Sequence, residues 1–171
     1  MASGITNKGK VWILEVAFRN QMNAGSTTTD MYVALVTAVS PPDQDTDVWS
    51  DISSNQIAAG NGYTAGGGGA DAATDGTLTR NTTDFDVKIS DADANTNNYG
   101  YIQVRNVQWA ASGGAIPDSG VGASYAVLMD NAGGSINHAN NKVIAWWDLG
   151  GVRSVTNGQT LSLQDLELRL T

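Results

Sequence analysis

From Lys8 to Met22 the apolar positions recur at three- and four-residue steps, through Val11, Leu14, Phe18 and Met22, with Ile13 and Ala17 widening the stripe. Thr6 or Asn7 can cap the start, and Gly25 lies just past the end. The spacing predicts a short amphipathic helix whose apolar stripe covers a sheet edge or a neighbouring subunit. After it the period changes to two. Met31 to Thr37 is apolar on both faces and reads as an interior strand, and Pro41-Pro42 then ends any ladder, because proline has no amide donor. Asp43 to Asn61 is acidic and polar, with Val48, Trp49, Ile52 and Ile57 as anchors.

The rest of the chain reads as strands. Gly76 to Asn81 is a short candidate, and Asp84 to Ile89 alternates, with Phe85, Val87 and Ile89 inward and Asp84, Asp86 and Lys88 outward. Asp91 to Asn98 is a turn-rich loop. Tyr99 to Ala110 slips phase: Ile102 and Val104 share one face, then Val107 and Trp109 share one, which predicts a bulge near Arg105 and Asn106. Ser124 to Asp130 and Lys142 to Leu149 read as core strands. Gly158 to Thr171 repeats the slip, with Leu161 and Leu163 followed by Leu166, Leu168 and Leu170. Seven to nine strands at this spacing predict a mainly β fold, a β-sandwich or jelly-roll-like barrel with one short N-terminal helix. The expected division is an N-terminal arm and helix over 1–25 and a single β domain over 26–171.

Charge narrows the function. Nine Lys plus Arg stand against seventeen Asp plus Glu, a net charge of −8, which lacks the cations a nucleic-acid binder or a protein of anionic membrane surfaces needs. No cysteine is present, so disulfides and thiolate metal sites are excluded. The first ten residues show no basic-then-apolar signal pattern, and no apolar run approaches spanning length. The expectation is a chain made in a cytoplasm that stays soluble.

The order of motifs then becomes specific. Gly4-Ile-Thr-Asn-Lys-Gly-Lys10, a short helix, Tyr32-Val-Ala-Leu-Val-Thr37, Pro42-Asp43-Gln-Asp45 and Asn61-Gly-Tyr-Thr-Ala-Gly-Gly67 follow one another. Val107-Gln-Trp109, Tyr125-Ala-Val-Leu-Met-Asp130, Trp147-Asp-Leu-Gly150 and Ser154-Val-Thr-Asn-Gly158 come after. Over nearly the whole chain this series resembles a group of small structural proteins of tailed-bacteriophage particles. The resemblance implies a non-enzymatic virion subunit, a capsid decoration or cement protein on the outer surface of the phage head. Its partners would be the phage major capsid protein and further copies of itself, a trimer being implied by the threefold positions of capsid lattices. The other particle part it admits is a tail, neck or fibre subunit that binds glycans through exposed aromatics. The loops at 70–75 and 112–122 are longer here than in that group, which leaves room for a specialised contact.

Each candidate for chemistry has a plainer structural role beside it. Asp43, Asp45 and Asp47 alternate like a calcium loop, but Val48 replaces the turn glycine and Ser54 the bidentate Glu; Asp91, Asp93 and Asn95 fail likewise, at Thr96 and Ile102. The sole histidine, His138, has no Gly-x-Ser-x-Gly partner motif, which favours a loop or interface role. Asp148, beside Trp146 and Trp147, is the one acid in an apolar setting and is expected to cap the turn at Gly150-Gly151. Gly60-x-Gly62 lacks a following Gly-Lys-Ser/Thr and predicts a turn where two backbones approach closely. No catalytic residue, cofactor or metal ligand is therefore expected. The expected interface residues are Ile5, Lys8, Lys10 and Trp12 in the arm, Gly66, Gly67, Gly68 and Gly69 as a run able to order against a partner, and Trp146. Trp146 and its neighbour Trp147 must point to opposite sides of one strand, so one of them needs a second layer, a subunit or solvent.

Overall fold

The computed structural model describes residues 6, 13–15, 17–19, 29–87, 96 and 99–170. Among the described residues the fold is mainly β and β-sandwich-like, its sheets open rather than closed into a barrel. Among the described residues there are nine strands: β1 (Thr29–Val36), β2 (Thr77–Thr79), β3 (Phe85–Val87), β4 (Gly100–Val104), β5 (Val107–Ala110), β6 (Ala123–Asp130), β7 (Val143–Arg153), β8 (Thr160–Leu163) and β9 (Glu167–Leu170); the pairs β1–β6, β6–β7, β3–β4, β4–β9 and β5–β8 are antiparallel. The sheet orders are β2-β1-β6-β7, β3-β4-β9 and β5-β8.

The chain divides into two compact units. The first gathers Met1–Thr28, Thr79–Asn106 and Gln164–Thr171, and the second Thr29–Leu78 and Val107–Leu163. This cuts across the expected arm and single β domain. The N-terminal segment groups with β3, β4 and β9, and the long strands expected over 99–110 and 158–171 each change unit midway.

That change explains the two phase slips. β4 pairs with β9 and β5 with β8 in the same register, Ile102 opposite Leu168 and Val107 opposite Leu163. In the first unit Ile102, Val104 and Leu166 are buried; in the second Val107, Trp109, Leu161 and Leu163 are. Both strands reverse their buried parity between Val104 and Val107 on one side and Leu163 and Leu166 on the other. The expected bulge at Arg105 and Asn106 is thus a transfer from one sheet to another.

In the first unit, residues 13–15 and 17–19 are helical. Leu14 and Phe18 point inward, and the Phe18 ring meets Phe85 of edge strand β3 at 5.2 Å. Ile13 is exposed, so the apolar stripe is narrower than its sequence suggests. Arg19 holds the helix to β3: Nε donates to the Phe85 carbonyl at 3.0 Å and Nη2 to Asp86 at 3.2 Å. Val11 and Met22 lie outside the described residues.

The second unit is built on the four-stranded sheet. Every residue of β1 from Met31 to Val36 is buried. One face carries Tyr32, Ala34, Val36, Val127 and Met129, packed with Trp49 and Ile52 of the short helix Trp49–Ile52. Asp51 starts that helix by accepting the N–H groups of Asp47 and Val48 at 3.1 and 3.0 Å. On the opposite face Val33, Leu35, Ala126 and Leu128 have no exposed surface, so both sides of the sheet centre are covered.

Candidate docking surface

One sheet has two differently treated sides: the side of β1 away from β6, where the short edge strand β2 lies, and the outer edge of β7. On β1, the side away from β6 is closed by the chain itself. The Val33 N–H donates to Gly76 O at 2.7 Å, the Leu35 N–H to the Tyr63 hydroxyl at 3.0 Å, and the Ile57 N–H to Leu35 O at 3.1 Å. This closure needs glycine. Gly67 has φ +104, and a Cβ on either Gly67 or Gly76 would overlap the Val33 carbonyl. Trp109 seals the arrangement, its Nε1 donating to Gly67 O at 2.8 Å and its ring meeting Tyr63 edge-on at 5.6 Å. Burial pushes the Tyr63 phenol well above its ordinary pKa, against the smaller lowering by the Leu35 hydrogen bond.

β7 is the other margin. Among the described residues it pairs with β6 alone, and its far side is met only at the start, where the Val143 N–H donates to Asp47 O at 2.9 Å. From Ile144 onward no further strand lies along it among the described residues. Two register shifts interrupt the β6–β7 ladder. Ile144 is an extra residue between the partners of Leu128 and Met129, and residues 149–152 together oppose Ser124. The second shift is a small projecting turn. Asp148 accepts the Gly150 N–H at 2.8 Å, Gly150 and Gly151 have φ of 68 and 140, and Arg153 donates to Leu149 O at 2.6 Å. Asp148 therefore serves the turn that its sequence setting suggests.

These irregularities blunt β7 for ladder addition while offering its side chains. Of the six large apolar residues exposed in the described part, Ile144 (44%), Trp146 (39%) and Val152 (60%) stand on this strand. Val121 (57%) is near, since a Cβ on its neighbour Gly122 would lie 2.9 Å from Val152 Cγ1. Trp146 sits opposite Val127, at the rim of the Trp49 cluster, while Trp147 sits opposite Ala126 and is half-buried. Lys142 and Arg153 bracket the strip with positive charge in a chain of net charge −8. Such a surface is chemically suited to an apolar, acid-rimmed partner face.

Other expected residues fall elsewhere. Ile5, Lys8, Lys10 and Trp12 lie outside the described residues, as do Lys88, Ile89 and Asp91–Asn95. Gly66, Gly67 and Gly68 are buried and Gly69 is half-buried; Gly66 abuts Asn137, and Gly69 lies beside Asp75 and Trp109. This run is already ordered against its own chain, which corrects the expectation that it waits for a partner. Trp49 and Trp109 are core residues, with 1% and 2% exposure, and supply no sugar-stacking platform. His138 lies in the loop before β7, its Nδ1 accepting the Asn140 N–H at 3.2 Å. Asp43 folds onto its own loop, accepting the Asp45 N–H at 3.0 Å and the Thr46 hydroxyl at 3.1 Å. Gly60 and Tyr63 close a tight turn by reciprocal backbone hydrogen bonds of 2.8 and 3.0 Å, and a Cβ on Gly62 would overlap the Ala110 carbonyl.

Comparison with protein-family models, with curated proteins and with solved structures returns no match. Among the described residues no helix is long and apolar enough to cross a membrane. Among the described residues no group of three or more His, Cys, Asp or Glu side chains is arranged to hold a metal ion.

Proposed function

We propose that this chain is a structural subunit of a tailed-phage particle that docks on the head shell as a decoration or cement protein. The observation that carries the reading is the placing of three exposed large apolar residues, Ile144, Trp146 and Val152, on one edge strand of a sheet whose centre is buried on both faces. The series of motifs quoted above supplies the particle, and the β7 margin supplies the contact. The occupant of that margin is a shell subunit with an apolar face rimmed by acid, matched to Lys142 and Arg153. The action is mechanical. A standard interface buries on the order of 1,600 Å², and many repeated copies oppose the internal pressure of packed DNA.

The test mixes the purified chain with emptied, expanded shells of a phage encoding it. The chain is expected to sediment with the shells and to raise their disruption temperature. Trp146→Asp and Ile144→Asp are expected to abolish both effects while leaving the fold intact. Failure to sediment, or undiminished binding by the two variants, overturns the proposal; so does pairing of the margin with a second copy in shell-free solution.

A further inference from the structure

The first unit carries a second, chemically different surface. Its sheet has an apolar inner face of Phe85, Ile102, Val104 and Leu168, and an outer face set by the same register. Asp86 lies opposite Gln103, Gln103 opposite Glu167, and Tyr101 opposite Arg169. At one end of this outer face is a cavity of about 350 Å³, lined by Thr83, Asp86, Gln103, Arg105, Asn106 and Asp165. At the other end Arg169 lies over two tyrosines, 5.2 Å from the Tyr99 ring and 5.9 Å from the Tyr101 ring, with the rings 6.1 Å apart. Gln103 borders the cavity and is one same-face step from Tyr101, about 7 Å along the strand. Pocket and platform are therefore contiguous.

The groups are held in place. Gln103 Nε2 donates to Asp165 Oδ1 at 2.9 Å, and Asp165 occupies the left-handed region at φ 56, where a non-glycine residue needs its surroundings to hold it. Arg105 pairs with Asp84 at 2.7 Å and donates to Asn106 O at 3.2 Å, fixing the floor. A carboxylate has about four acceptor sites, so Asp165 retains acceptor capacity beside Gln103.

From this placement we infer that the outer face of the first unit binds a neutral saccharide. Planar amide and carboxylate groups, mixed as donors and acceptors, match the vicinal hydroxyls of a sugar ring. The cavity falls at the small end of ligand sites, the size of one or two sugar units. The adjoining Tyr101 and Arg169 offer a ring edge and guanidinium donors to the next unit. Anionic ligands are opposed by Asp86 and Asp165. Amines are opposed at the platform, where Arg169 already occupies the tyrosine rings. The inference does not depend on the β7 margin, which lies on the other unit.

The experiment titrates the ¹⁵N-labelled full chain with glucose, galactose, mannose, rhamnose, N-acetylglucosamine and their β1,4-linked dimers, and separately with trilysine. At least one saccharide is expected to shift the amides of Tyr101, Gln103 and Asp165. Gln103→Ala is expected to weaken that binding roughly tenfold, as loss of a hydrogen-bonding pair does. Tyr101→Ala provides a second arm, and Trp146→Asp is expected to leave the titration unchanged, which separates this result from the docking proposal. Absence of any shift across the panel, shifts confined to other residues, binding that survives both variants, or binding of trilysine alone overturns the inference.

Discussion

The two sides of the four-stranded sheet, the β1–β2 side and the β7 edge, are made from the same strand chemistry and end in opposite states. Along β1 the chain supplies its own partners: Gly76 O, the Tyr63 hydroxyl and the Ile57 N–H take up the outward-facing backbone groups of Val33 and Leu35. Along β7 the outward side is bridged, among the described residues, only at Val143, and Ile144, Trp146 and Val152 are exposed. The β1 margin is a folding device, tolerant of almost no change. The β7 edge has no such closure beyond Val143 among the described residues. What separates them is a few glycines that let backbone come within contact distance of backbone at Val33.

Glycine substitution should break this contrast most forcefully. Gly67→Ala places a Cβ on the Val33 carbonyl at φ +104 and is expected to destabilise by about 4 kcal/mol or more, the scale reserved for core disruption. Gly150→Ala on the β7 turn also has positive φ, but its Cβ meets nothing closer than Arg153 Nη2 at 4.0 Å. About 1–2 kcal/mol is expected there, the left-handed penalty alone. Urea unfolding of the pair measures the difference, and equal losses would show the margins to be alike. Trp109→Phe comes next. It removes the hydrogen bond to Gly67 O and leaves a void, for an expected loss of about 2–3 kcal/mol by the same measurement.

A smaller effect comes from Tyr63, whose phenol is held protonated by burial. In the unfolded chain it ionises near pH 10, so above about pH 10 the unfolded state binds fewer protons and folding stability falls as pH rises. Below that pH both states keep the proton and the stability is unaffected. Tyr63→Phe is expected to flatten its part of the alkaline slope, seen as unfolding midpoints from pH 8 to 11, while lowering neutral-pH stability by about 1 kcal/mol because the Leu35 N–H loses its acceptor. Smallest of all, Ile144→Lys is expected to change stability by no more than about 0.5 kcal/mol, the ordinary range for exposed positions. A large loss there would mean that the β7 margin is part of the core.

Much of this could be read in the residues. The strand segments at 31–37, 124–130 and 142–149 followed from burial on one or both faces, and both phase slips, at 104–107 and 163–166, lie where the chain changes sheet. Their cause was not legible, because a bulge and a sheet transfer produce the same parity reversal along one strand. Only the pairing of the two strands tells them apart. The Gly66–Gly69 run was misread for a related reason: permissive backbone serves either a mobile segment or one pressed against a carbonyl, and only Val33, far away in sequence, decides. At the candidate surface, Trp146 was identifiable as one of two opposed rings. The roles of Ile144 and Val152 were not, since they depend on register shifts against Leu128 and Ser124. The platform of Tyr99, Tyr101 and Arg169 was missed because its partners join across a ladder, although the i, i+2 tyrosines were a usable signal.

Radical footprinting of the chain, free and bound to shells, puts the docking account to its most direct trial. Labelling of Ile144, Trp146 and Val152 is expected to fall sharply on binding, while Val39, 80% exposed in the loop after β1, keeps its labelling. Unchanged labelling of the three β7 residues in the bound state, with protection elsewhere, would contradict the account.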